Sequence, residues 1–141
     1  MRPFVTGGTV WRVIRVPAGD PRLVDRTGSE RLATTDPRTS TIAVLDSLRP
    51  PLLDRVVLHE ATHAVTISND LLASLGRMVR EGDVIGVEEW AARLVEGHAI
   101  EAIDAASVAL GRPVCIDGLC VEKRRGAYGQ PRGDRARDIG A

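Results

Sequence analysis

The chain has 141 residues, enough for one domain with one hydrophobic core. Its 19 basic and 19 acidic residues cancel to zero net charge, which argues against a general binder of nucleic acid or of anionic membrane surface. Aromatic residues make up only 3%, so the core has to be built from Val, Leu, Ile and Ala.

No apolar run approaches the ~18 residues of a transmembrane helix. The first eight residues lack the continuous apolar stretch of a signal peptide, so a cytoplasmic location is the default expectation. Residues 1–8 read as loosely ordered. Thr9 to Val16 is β-branched and partly alternating, the pattern of a strand, and Pro17 to Pro21 supplies turn residues that end it. Arg22 to Asp25 is a second short strand candidate. Thr27-Gly28-Ser29 and Thr34 to Pro37 carry turn and loop signals, and Thr39 to Leu45 is a third strand candidate. These segments predict a small antiparallel sheet whose edge strand lies beside the functional cleft, placed to hold an extended peptide by strand addition.

Asp46 or Ser47 can cap the next element, and Pro50-Pro51 fits only a first helical turn. The helix that follows is expected from near Pro50 to about Ile67. Leu52, Leu53, Val56, Val57, Ala61, Ala64 and Val65 recur in it at i, i+3, i+4 spacing. Ser68-Asn69-Asp70 is a stop. Leu71 to Arg80 has the periodicity of a short helix, and Val87 to Leu110 that of a long one ended by Gly111-Arg112-Pro113. Val114 to Val121 reads as a tight hairpin around Asp117-Gly118. In such a hairpin Cys115 faces Cys120, close enough for a disulfide, although a reduced pair is the ordinary state in a cytosolic protein. The predicted domain spans residues 1–122 with its core at about 9–111. Residues 123–141 are a Gly- and Arg-rich tail, expected to be flexible.

The first helix carries His59-Glu60-Ala61-Thr62-His63, an HExxH motif. On a helix the two histidines stand one turn apart on one face, so both imidazoles can reach one Zn2+ ion. Glu60 is then placed to act as general base towards a metal-bound water. Catalytic zinc normally takes three protein ligands. Glu88 and Glu89 open the long helix. Glu88 shares a face with Ala91, Ala92 and Val95, whose small alanines allow close helix approach, whereas Glu89 points about 100° away. Glu88 is therefore the favoured third metal ligand and Glu89 the alternative. An ordinary first-turn acid would serve the helix dipole equally well. Glu96 suits a solvated position and His98 a core one.

With these residues in place, the chain resembles the short zinc metallopeptidase-like proteins of the gluzincin type. These include the ImmA/IrrE-like peptidases and small HExxH proteins of phages and prophages. Their second helix has roughly the form E-x-x-A-N-x-F-A, against Glu88-Glu89-Trp90-Ala91-Ala92-Arg93-Leu94-Val95 here. The Glu and the Ala agree, while Ala92 and Leu94 replace the Asn and Phe. The resemblance covers about residues 39–103. It implies an α+β, zincin-like minimal metallopeptidase domain with His59, His63 and Glu88 as metal ligands and Glu60 as catalytic base. It also implies a peptide or protein substrate, and a location in the host cell cytoplasm or on the virion. His98, Tyr128 and the arginines are all available as oxyanion partners. A second expectation keeps the fold but not the turnover: a structural or interaction protein of a phage particle or its assembly machinery.

Overall fold

The computed structural model describes residues 1–70, 77, 80, 82 and 84–121, with side chains described for all of these except 84–96 and 121. The fold is α+β. Four strands form one mixed sheet: β1 (Phe4–Thr6), β2 (Thr9–Val16), β3 (Ala33–Asp36) and β4 (Thr41–Leu45), in the order β1-β2-β4-β3. Two helices follow, α1 (Leu52–Ser68) and α2 (Val84–Leu110). A hairpin of β5 (Val114–Ile116) and β6 (Leu119–Val121) comes last.

The sheet is not all antiparallel as expected. β1–β2 and β3–β4 are antiparallel, but β2 and β4 run parallel, with Val13 beside Ile42 and Arg15 beside Val44. A parallel pair needs a crossover of a dozen or more residues, and the segment from 17 to 40 supplies it. Within that crossover the expected strand at Arg22 to Asp25 is instead a turn of 3-10 helix over Pro21–Leu23. The Asp20 carboxylate caps it by accepting from the Arg22 N–H at 2.9 Å. Only a single bridge, Val24 to Glu30, remains of strand pairing there. Two further strands were hidden by local signals. Phe4–Thr6 pairs with the start of β2, and the turn-like Ala33-Thr34-Thr35-Asp36 is extended because β4 offers it a ladder partner at every position.

Strand alternation sorts the sheet into two faces. Phe4, Trp11, Val13, Ile42, Val44 and Ala33 face the helices and join Leu53, Val57, Ala61 and Ala64 of α1 and Ala105, Ala106 and Ala109 of α2 in one core. Small residues line both helices where they meet this core, which lets the backbones approach without large side chains. On the other face, Val16, Leu23 and Ala43 form a lesser cluster.

α1 begins at Leu52 with Pro51 as its capping residue and no side-chain cap, so neither Asp46 nor Ser47 performs the expected role. It ends at Asn69, whose backbone N–H reaches the Val65 carbonyl. Both ends are pinned. At the start, the buried Asp54 carboxylate takes two hydrogen bonds from Arg112, at 2.6 and 2.8 Å, and a third from the Cys115 N–H at 2.7 Å. At the finish, Trp11 Nε1 donates to Ser68 Oγ at 2.7 Å, and Asn69 Nδ2 donates to Thr6 Oγ1 at 3.1 Å, which in turn donates to Glu101. These contacts make α2 antiparallel to α1, with Arg112 beside the beginning of α1 and Glu101 beside its end.

The terminal hairpin has the expected register, Ile116 opposite Leu119 and Cys115 opposite Cys120. The two cysteines are joined in a disulfide rather than left reduced, the register setting them directly opposite one another. The short helix expected at Leu71 to Arg80 and the tail at 123–141 fall largely or wholly outside the described residues. No helix among the described residues is long and apolar enough to cross a membrane.

Candidate metal centre

The HExxH motif lies in the middle of α1, and the helix period divides it. Val57, Ala61, Ala64 and Val65 are buried against the sheet and α2, while His59 and His63 project from the solvent side. The His59 side chain is 68% exposed. The two Nε2 atoms stand 3.2 Å apart, with the rings at 80° to one another and their centroids separated by 4.8 Å. With zinc–nitrogen bonds of about 2.0–2.1 Å, that separation subtends an angle of about 100–106° at a shared ion, close to tetrahedral. The separation of the two nitrogens is therefore the one that a shared zinc ion would require. Without metal, the same separation lets one neutral ring donate to the other, the tautomers being unassigned.

Glu60 is treated differently from its neighbours. It lies between the solvent and core faces, and its side chain is only 10% exposed. Thr35 Oγ1 donates to its Oε1 at 2.6 Å, while Oε2 stands 3.9 Å from His59 Nε2. Thr35 comes from β3, the edge strand, and alternation along Ala33–Asp36 puts it on the helix side beside Ala33. One carboxylate oxygen is thus held by the sheet and the other is turned towards His59. The expected edge strand does border the motif, as β3, although the residues that form it read as a turn.

The third ligand is a separate matter. Glu88 and Glu89 lie near the beginning of α2, and their side chains fall outside the described residues. Glu101 is level with the end of α1. Glu88 is 13 residues earlier, about 20 Å along a regular helix, in the direction that leads past that end. Among the described residues no group of three His, Cys, Asp or Glu side chains is arranged to hold a metal. The structure thus brings together His59, Glu60 and His63. His98 is partly buried on α2, its Nε2 without a hydrogen-bond partner among the described residues, and Tyr128 lies outside them.

Two residues that sequence reasoning passed over support this arrangement. Thr35 orients Glu60, and Asp54 locks the start of the motif helix. The Arg112 guanidinium, bonded to both oxygens of Asp54, holds its carboxyl below the usual carboxylate range. The Cys115 N–H adds to that effect, and burial opposes it. Neither role had a local signature: Thr35 stood in a turn-like run, and Asp54 is an unremarkable acid in a first helical turn.

The chain matches no family model, no curated protein and no solved structure.

Proposed function

We propose that the chain is a zinc-dependent hydrolase of peptide bonds, a zincin-like metallopeptidase in which His59 and His63 hold the metal and Glu60 is the general base. The observation that carries this reading is the 3.2 Å separation of the two Nε2 atoms beside a tethered carboxylate. Bound zinc would supply a water of lowered pKa, about 7, and a Lewis acid for the scissile carbonyl. Thr35 fixes Oε1 of Glu60, so Oε2 is the atom that accepts the proton of the attacking water and returns it to the leaving amine. The unpaired side of β3 would hold an extended peptide or protein substrate by strand addition. The offset along α2 weighs against Glu88 as the closing ligand, and metal affinity of Glu88→Gln and Glu89→Gln variants tests each directly.

A second reading follows from the exposure of the two histidines on the solvent side of α1, where a partner protein could reach them. In it the chain keeps a zincin-like fold and acts as a structural or interaction protein, with a phage particle or its assembly proteins as partner. Replacing Glu60 by Gln separates the two. Loss of peptide cleavage with zinc still bound supports the hydrolase. A biological activity that survives the change at full strength supports the interaction protein.

A further inference from the structure

We propose that an open cavity at the N-terminal end of α1 binds a small molecule carrying a phosphomonoester, with Arg2, Arg15 and Arg49 as its anion donors. The cavity has a volume of about 590 Å³, within the ordinary range for small-ligand sites. Four arginines line it (Arg2, Arg15, Arg49 and Arg112), together with apolar residues that include Leu53 and Leu110, and no Asp or Glu does.

The charges are not equivalent. Arg112 is neutralised by the buried Asp54. Arg2, Arg15 and Arg49 have no carboxylate within ion-pairing distance among the described residues. Arg15 is the most telling of the three. Alternation along β2 puts it on the same face as Trp11 and Val13, where the core would otherwise continue. Its Nη1 donates to the Asp46 carbonyl at 3.0 Å, and Arg49 Nη1 donates to the same carbonyl at 3.1 Å and to that of Leu48 at 2.9 Å. Each guanidinium is therefore anchored through one nitrogen, and its other N–H groups make no hydrogen bond to the described protein. Arg2 is placed by its backbone, whose N–H reaches the Ala109 carbonyl at 3.1 Å.

Three exposed guanidinia without a carboxylate partner among the described residues, gathered around one open hollow, concentrate a positive potential there. A phosphomonoester brings a charge of about −1.5 to −2 and three acceptor oxygens, a better match than one carboxylate to planar donors of this kind. The apolar lining suits an organic body attached to the phosphate. This site is separate from the metal centre. Leu53 precedes His59 by six residues, about 9 Å along the helix, and sits on its buried face.

Isothermal titration of the full chain with phenyl phosphate, inorganic phosphate and benzoate tests the proposal. Phenyl phosphate is expected to bind more tightly than inorganic phosphate, and benzoate least. Arg2→Gln and Arg15→Gln are each expected to weaken phenyl phosphate roughly tenfold, as loss of one charge-assisted contact would. The Arg2 guanidinium makes no hydrogen bond to the described protein, and an unchanged thermal midpoint in Arg2→Gln separates loss of binding from unfolding. His63→Ala is expected to bind phenyl phosphate as the unaltered chain does. Absence of phenyl phosphate binding, binding unchanged in both arginine variants, or binding abolished by His63→Ala would each overturn the proposal. The last outcome would place the anion on the metal.

Discussion

Thr35 Oγ1 donates to Glu60 Oε1 at 2.6 Å, joining the edge strand of the sheet to the middle of the motif helix. The bond leaves Oε2 as the carboxylate oxygen on the His59 side. Replacing Thr35 by Val removes the donor while keeping the shape. The expected result is a loss of about 2 kcal/mol in chemical denaturation, typical of a hydrogen bond to a buried charged group. Zinc binding should be unchanged. Under the peptidase reading, kcat should fall roughly tenfold, the equivalent of about 1.4 kcal/mol in the transition state. Thr35→Ser, which keeps the hydroxyl, should behave like the unaltered chain in all three measurements.

The Asp54–Arg112 pair should dominate acid sensitivity near the start of α1. Asp54 is fully buried, and its carboxyl is held below the ordinary value of 3.8, first by the Arg112 hydrogen bonds. A depressed folded value means that the carboxylate's contribution to stability is complete above about pH 4 and is lost as pH falls through the folded value. Asp54→Asn should therefore lower stability at pH 7 by about 2 kcal/mol, the scale of hydrogen bonds to a buried carboxylate whose arginine partner is itself partly exposed. It should also flatten the decline in stability as pH falls below about 4. Urea denaturation at a series of pH values reads both effects. A variant with an unchanged acid limb would show that other carboxylates control it.

Gly7 and Gly8 form the turn between β1 and β2, and only one of them touches the motif helix. A Cβ on Gly7 would come within 2.4 Å of the Ser68 carbonyl oxygen at the end of α1, and its φ is +55°. On Gly8, at φ +77°, a Cβ would meet nothing within 4 Å. Gly8→Ala should cost about 1–2 kcal/mol, from backbone conformation alone. Gly7→Ala should cost clearly more, because either the turn or the end of α1 has to move. Thermal denaturation of the two variants side by side gives the comparison, and equal losses would contradict the close approach.

Much of this molecule was legible from local pattern, and the remainder depended on partners far away in the chain. Thr9–Val16, the motif helix and the Cys115–Cys120 register could be read because each is specified by its own periodicity or turn. β3 could not, because Thr34-Thr35-Asp36-Pro37 favours a turn until the edge of β4 offers hydrogen bonds. The parallel pairing of β2 with β4 had no signal in either strand. It depends on the crossover between them. At the site, His59, Glu60 and His63 are related by helix geometry alone, so their spacing revealed them. Thr35 and Arg112 act across 25 and 58 residues of sequence. No window short enough to show periodicity contains both partners.

The central claim is that His59 and His63 share a metal ion. Elemental analysis of the purified full chain after zinc loading and desalting, beside His63→Ala treated identically, tests it most directly. About one zinc per chain is expected, lost or sharply reduced in the variant, because the two Nε2 atoms stand 3.2 Å apart, the spacing of donors on one ion. No zinc retained by the unaltered chain, or equal zinc in both proteins, would contradict it.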